Sequence, residues 1–352
     1  MLAVFGLDQS EQWDRIVRTF RDYDTYWLSG YVKAFRLHGD GEPLLFYYEG
    51  GGTRGFNVVM KRDVALDPRF AGRLPEGEYF DFATPYGYGG WLIEGDGRED
   101  LFRAYEAWLS GERIISEFVR FHPMVKNHEG CENFYDVIRL GEVVHMDLSD
   151  PEVIWNNITS KNRNVIRKAV KNGVCIYNGR FPEIYEKFRY IYDRTMDKDE
   201  ADQYYYFGDA FYRSLLEDLP GNAQVFWAEK DGEAIAASII LAANGKMNYH
   251  LSGYLREYGP LAATNLLLYK AALWGYDNGL RTLYLGGGVG SGEDSLFKFK
   301  RAFYKGDLNR FHIGKRIYDR ERYDFLTGMR VETESSYFPK YRAEEHRKGM
   351  CW

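Results

Sequence analysis

The sequence predicts a two-lobed α/β (α+β) protein in which mixed, mostly antiparallel sheets are flanked by helices. Three observations predict it. Apolar runs of strand length are joined by tight-turn pairs, Asp231-Gly232 and Asn244-Gly245 among them, and such pairs close antiparallel hairpins. Other segments place apolar residues at helical spacing, as Trp13, Ile16, Val17 and Phe20 do after a capping Ser10. Finally, 352 residues correspond to two domains at roughly 150 residues each.

An apolar content of 45% is enough for a full core, and 29 tyrosines supply rings that pack on one side and hydrogen-bond on the other. A formal net charge of −6 argues against a general nucleic-acid coat protein and leaves room for a local basic groove. Cys131, Cys175 and Cys351 are odd in number and widely spaced, so neither a disulfide framework nor a zinc site is expected, and no metal is. No signal-peptide core opens the chain, and no run approaches the roughly 18 apolar residues of a membrane span. The chain reads as soluble and cytoplasmic.

In order, Leu2 to Leu7 reads as a strand, Ser10 to Phe20 and Ser29 to Leu37 as helices, and the runs 43–48 and 55–61 as a hairpin around Gly50-Gly51-Gly52. From Tyr79 to Trp91 aromatics alternate with glycines, a composition suited to a groove floor of exposed amides between ring walls, or to a bulged strand. A helix over 99–109 and a strand over 114–121 follow, ending in His122-Pro123. An imidazole there would titrate near neutrality and suit removal of an amine proton; a packed polar residue is the other reading.

Two strand-like runs, 134–139 and 142–148, lead to Ser149-Asp150-Pro151, where a domain boundary is placed: one domain over 1–148, the second over 149–352. The helix 160–172 carries Lys161, Arg163, Arg167, Lys168 and Lys171 in one half and Val165, Ile166, Ala169 and Val170 in the other. On an acidic protein, a one-sided basic helix is either a solvated face or a contact for an RNA backbone. Helices over 182–193 and 209–219 flank Tyr204-Tyr205-Tyr206-Phe207. Strands over 225–229, 233–242 and 246–254, a helix over 265–278 and a strand over 282–285 complete the reading.

That last strand empties into Gly286-Gly287-Gly288-Val289-Gly290-Ser291-Gly292, and a helix capped by Asp294 or Ser295 restarts the chain. Bare amides in the loop admit a ligand to the main chain. On the helix, Leu296, Phe299 and Phe303 share a face, and Lys300 borders it, positioned rather than free. Lys300 is the leading candidate for chemistry.

This stretch resembles the Leu-Gly-Gly, spacer, Leu-Tyr/Phe-x-Phe-Lys pattern of the Fem family of tandem acyltransferases. Pro85-Tyr86-Gly87-Tyr88-Gly89-Gly90 and Ser160-Lys161-Asn162-Arg163-Asn164-Val165-Ile166-Arg167-Lys168-Ala169 resemble two further Fem signatures. The order of three antiparallel strands, helix and parallel strand is similar to the GNAT acyltransferase core, and 43–121 repeats it faintly. The resemblance implies two tandem GNAT-like domains. It also implies transfer of an aminoacyl group from aminoacyl-tRNA to an amine of a nucleotide- or lipid-linked muramyl peptide, without a bound cofactor. It places Phe299 and Lys300 at the reaction centre with the loop Gly286, Gly287 and Gly288, and His122 where relatives carry an acid before the proline. On the acceptor it places Lys33 or Arg36, Asp81, Tyr86, Tyr88, Lys198, Tyr205 and Tyr249, and on the tRNA the five basic residues of the 160–172 helix. Two alternatives stand beside it: an acyl-CoA-dependent N-acyltransferase acting on a sugar or polysaccharide precursor, and a non-catalytic binding protein on the same fold. Against CoA, Arg256-Glu257-Tyr258-Gly259-Pro260-Leu261 replaces the usual glycine-rich pyrophosphate loop; Pro260 removes an amide and Leu261 crowds the approach.

Overall fold

The computed structural model describes residues 1–330 and 337–343, so Cys351 lies outside the described residues. The chain divides into two compact units, one formed by residues 1–141, 289–291 and the segment from Arg310 onward, the other by 142–288 and 292–309. The expected cut at 148 therefore moves to 141. The C-terminal segment also returns to the first unit, because the strand at 309–317 pairs there with the strand at 114–120.

The strands are β1 (Leu2–Phe5), β2 (Glu42–Gly50), β3 (Thr53–Asp63), β4 (Phe80–Ala83), β5 (Leu92–Glu94), β6 (Ile114–Arg120), β7 (Asp136–Asp147), β8 (Cys175–Gly179), β9 (Ala223–Lys230), β10 (Glu233–Ala243), β11 (Lys246–Tyr254), β12 (Thr282–Gly286) and β13 (Asn309–Ile317). The helices are α1 (Ser10–Arg18), α2 (Ser29–His38), α3 (Arg98–Leu109), α4 (Pro151–Asn157), α5 (Ser160–Lys171), α6 (Pro182–Lys198), α7 (Asp209–Asp218), α8 (Ala263–Asp277), α9 (Ser295–Arg301) and α10 (Arg320–Gly328).

In the first unit β2, β3 and β4 pair antiparallel in turn, α3 crosses over, and β6 returns parallel to β4. In the second unit β9, β10 and β11 pair antiparallel, α8 crosses over, and β12 returns parallel to β11. The same connection occurs twice, so the repeat read faintly from sequence is present in the chain tracing. Parallel pairing of β11 with β12 covers only Lys246↔Thr282 to Asn248↔Tyr284. Beyond it β11 runs on to Tyr254 without β12 but still paired with β10, with a bulge where Ile239 faces Leu251 and Ile240 faces Tyr249, leaving His250 as the extra residue. The glycine loop begins where the two strands part.

Each unit has its own core. Phe46, Trp91, Tyr105 and Phe102 fill the first, with Phe102 stacked on Phe134 at 4.3 Å. Met247, Leu267, Ala271, Leu283, Ile166 and Phe303 fill the second. α8 carries apolar residues on several sides because α4, α5 and the sheet all pack on it.

The first unit also buries charge. Arg342 donates from Nε to Asp81 Oδ2 at 2.6 Å and from Nη1 to Asp67 Oδ2 at 2.7 Å, while Arg62 meets Asp81 Oδ1 at 2.7 Å and the Tyr341 hydroxyl donates to Asp81 Oδ2 at 2.9 Å. Burial alone would push the Asp81 carboxyl up; Arg342 and Arg62 outweigh it and hold the group below its ordinary value.

Candidate active site

Glycines at 286 to 288 let the end of β12 turn sharply beneath α9. Gly286 has φ of +83°, and a Cβ there would stand 3.3 Å from the Lys300 ammonium, so its absence keeps bare backbone around that group. Gly288 is required sterically: a Cβ would lie 2.2 Å from the Gly292 carbonyl and 2.4 Å from the Asp294 carboxylate. Asp294 is the N-cap of α9, accepting from the Phe297 amide at 2.8 Å. Gly288→Ala is expected to lower turnover by about tenfold or more with secondary structure intact, through displacement of the cap; a side-by-side rate and circular dichroism measurement checks it.

Lys300 is 9% exposed, and its Nζ donates to the Gly287 carbonyl at 2.6 Å. Burial lowers its pKa to about 8, with Asp294 opposing the shift. The ammonium has three N–H groups, so a bond to Gly287 leaves two for a ligand oxygen. The apolar face of α9 differs from expectation by one position: Phe297 is buried and Leu296 is 37% exposed, since the Asp294 cap sets the helix phase. Phe299 packs edge-on against Phe303 at 5.5 Å and joins the second core.

α5 is joined to this site through its first turn. Thr159 caps the helix and its amide donates to the Ala302 carbonyl at 2.9 Å, while Asn162 donates to the same carbonyl at 3.4 Å and accepts from Asn265 at 2.8 Å. Neither Thr159 nor Asn162 was singled out from sequence; a polar residue on the apolar side of a basic helix is the signal that marks Asn162. Lys161, Arg167, Lys168 and Lys171 are exposed and Arg163 half-buried. Val170, expected inside, is 56% exposed.

Of the acceptor candidates in the second unit, Lys198 donates to the Tyr254 hydroxyl at 3.0 Å, stands 4.4 Å over that ring and pairs with Asp199 at 2.9 Å. Tyr249 packs on the second core, and burial raises its hydroxyl pKa against hydrogen bonds from Ser252 and Ser238. Tyr205 is half-buried in a short turn against Tyr204. His250, at the bulge, is pushed down to about 3 by burial and is neutral at working pH.

The first unit corrects two expectations. His122 is 0% exposed: Nε2 meets Asp24 Oδ2 at 3.0 Å, Nδ1 accepts from the Met124 and Val125 amides at 3.3 Å each, and the ring stacks on Trp27 at 5.7 Å. Both nitrogens are engaged, with the Nε2 proton directed at Asp24, so the ring holds a turn and is not presented to an amine. Asp81 is likewise inside the Arg342 and Arg62 network and does not face an acceptor. Tyr88, 9% exposed, packs on Tyr26, His122 and Phe311, and Tyr86 stacks on Phe35 at 5.5 Å while its carbonyl accepts from Tyr31. Arg36 pairs with Glu42 at 2.7 Å on the exposed side of α2, where Lys33 also lies.

Residues 160–301 match the acetyltransferase (GNAT) domain family. The crystal structure of FemX superimposes with a TM-score of 0.67 over 90% of this chain and 98% of that one, at 12% identity. The fold is the FemX fold. A conserved protein of unknown function from Bacteroides thetaiotaomicron shares it at TM-score 0.57, 11% identity, 90% of this chain and 100% of the other. So does a C-terminal DUF2156 domain from Agrobacterium fabrum assigned to lysylphosphatidylglycerol synthesis, at 0.55, 14%, 88% and 91%. No curated protein sequence matches the chain. Within the FemX fold, the GNAT match ends on α9 and so includes the glycine loop and Lys300. Among the described residues no group of histidine, cysteine and carboxylate side chains is placed to hold a metal, and no helix is long and apolar enough to cross a membrane.

Proposed function

We propose that the chain is an N-acyltransferase of the Fem type, moving an aminoacyl group from aminoacyl-tRNA to an amine of a peptidoglycan precursor peptide. The observation that carries the reading is Lys300, a buried ammonium anchored on the Gly287 carbonyl beside a side-chain-free loop, on the FemX fold. The amine nitrogen forms the new C–N bond as the ester carbonyl pair moves to oxygen. Lys300 donates to that oxyanion, and on collapse the C–O3′ bond breaks and the proton shed by the amine ends on the ribose 3′-oxygen. Lys300 keeps its proton throughout, and no side-chain base is assigned.

The segment before α8 supports a donor other than CoA. Arg256–Leu261 is a tight 3-10 helix containing Pro260, and Ala262, the N-cap of α8, sits at φ +53°. A pyrophosphate finds no run of free amides there. The GNAT match over 160–301 favours acyl-CoA as the second reading.

The test is transfer of label from a mixed aminoacyl-tRNA pool to a nucleotide-linked muramyl peptide, beside labelled acetyl-CoA. Transfer from tRNA is expected; transfer from acetyl-CoA alone overturns the proposal. Replacing Arg163, Arg167 and Lys168 with glutamine is expected to raise KM for the tRNA about tenfold at low salt and flatten its salt dependence by about 0.7 in log–log slope per lost phosphate contact to single-stranded RNA. Unchanged KM across salt concentrations would make α5 a solvated face.

A further inference from the structure

Two half-buried imidazoles lie face to face in the first unit, away from the candidate active site. His128, in the turn that follows β6, and His312, on β13, stack with ring centres 3.7 Å apart and planes 13° from parallel. The Phe121 ring stands 6.3 Å from His128. β13 also holds Phe121 through the main chain, since the His312 carbonyl accepts from the Phe121 amide at 3.1 Å. The turn that His128 pins has a task of its own. Asn127, the neighbouring residue, accepts from the His122 amide at 2.7 Å and donates to the Gly89 and Trp91 carbonyls at 2.8 and 3.0 Å, so its side chain braces the aromatic and glycine loop that follows β4. Lys126, one residue earlier, sits at φ +58°, a left-handed conformation that a lysine adopts only where its surroundings impose it. The stack is one of the contacts that impose it.

Charge decides whether the stack persists. Two neutral rings stack, and an imidazolium over a neutral ring is tolerated, but two imidazolium ions at this separation repel. Burial is the largest influence on both rings and holds both below the ordinary histidine value. Beside His128, Glu129 and Glu132 favour the charged ring and Lys126 opposes it. Beside His312, His128 itself, Arg139 of β7 and Arg310 of β13 oppose the charge, against the Arg310 backbone.

We infer that the His128–His312 stack is a pH-sensitive latch: neutral, it holds the turn and its Asn127 brace against the loop at 84–91; doubly charged, it parts and frees that loop. The latch belongs to the first unit and does not depend on the acyl-transfer reading. Its sense follows from linkage. An open turn lets both rings recover the ordinary value near 6.5, so the open form binds protons more tightly. Its population grows as pH falls below 6.5, by up to about tenfold per pH unit for each proton taken up. Above pH 6.5 the latch stays shut.

The test is hydrogen exchange of the full chain, read by mass spectrometry at pH 7 and pH 5 and corrected for intrinsic exchange. Segments 84–91 and 122–131 of the wild type are expected to open at least about tenfold more at pH 5, with α8 in the second unit unchanged. Phenylalanine keeps an aromatic face and carries no charge. His128→Phe with His312→Phe should therefore retain the protection seen at pH 7 and lose the increase at pH 5. His128→Phe alone leaves one titrating ring and should lose about half of the increase on a logarithmic scale; it serves if the double variant does not fold. Imidazole carbon shifts in the wild type should show the pair titrating in two coupled steps, both below 6.5. An undiminished increase in the variants would assign the effect to another group, such as His122 with Asp24, and overturn the latch. Equal opening of 84–91 at the two pH values in the wild type, or independent titration of the two rings at the ordinary value, would overturn it as well.

Discussion

Lys300→Met is expected to lower kcat for acyl transfer by about 100- to 1,000-fold, the range for removing one preorganised donor to an oxyanion. The protein should fold at least as well, because methionine keeps most of the stem volume and removes a buried charge. The pH dependence separates this role from others. Lys300 acts as a cation with a pKa of about 8, so kcat in the wild type should fall as pH rises through that value, and a base in the same place would give the opposite slope. Stability moves the other way. The folded pKa lies below the unfolded one near 10.4, so the unfolded chain binds the proton more tightly, and stability increases as pH rises from about 8 to about 10. Below pH 8 the native state carries the full cost, about 3 kcal/mol from the separation of the two pKa values. Thermal melts at pH 7 and 9.5 should show a gain in the wild type that Lys300→Met lacks. Near-normal turnover in Lys300→Met would remove the residue on which the mechanism turns.

Arg342→Met is expected to cost about 3–5 kcal/mol, the price of stranding a buried carboxylate. Asp81 is 0% exposed and accepts from Arg342 Nε beside the bonds from Arg62 and Tyr341, and Asp67 is paired to the same Arg342 guanidinium. Both carboxyls are held below their ordinary range in the folded state. The stability they contribute is therefore full above the unfolded value near 3.9 and is lost as pH falls through the depressed folded values. Acid titration of the melting temperature should show a steep loss in the wild type and a shallower one in Arg342→Met. Asp81→Asn in the Arg342→Met background should recover part of the loss, since an amide is cheaper to bury than a charge. A melt of the single variant within 1 kcal/mol of the wild type would show that the network contributes little.

Local chemistry explains what the sequence reveals here. Asp231-Gly232 and Asn244-Gly245 take positive φ at both positions, as the two-residue hairpin turns require, so the β9 to β11 meander was legible from the turns alone. Helical spacing put Lys300 at the border of an apolar face, whereas its near-complete burial depends on Phe297, which the spacing left off that face. Long-range partners were not legible. His122 looked like a base because its carboxylate partner Asp24 is 98 positions away, and the nearby Met124 and Val125 amides that engage Nδ1 leave no mark in residue type. Asp81 looked exposed among glycines because its partner Arg342 is 261 positions away. β13 carries no turn pair or motif of the kind that marked the other elements and went unread, and α10 went unread although Asp319 caps it as Asp294 caps α9.

The passage of β13 back to β6 bears on how this protein can be divided. A gene cut at the apparent boundary yields a first half that lacks a strand of its own sheet and leaves β6 with an open edge, a template for aggregation. The second half would carry that orphan strand along with residues 310–330 and 337–343. Recombination that swaps whole halves between relatives is therefore penalised, and exchange of the continuous block 142–288 would begin inside β7 and leave behind 292–309, the part of the second unit that holds α9. Inheritance of such a chain favours change within each repeat over shuffling of repeats.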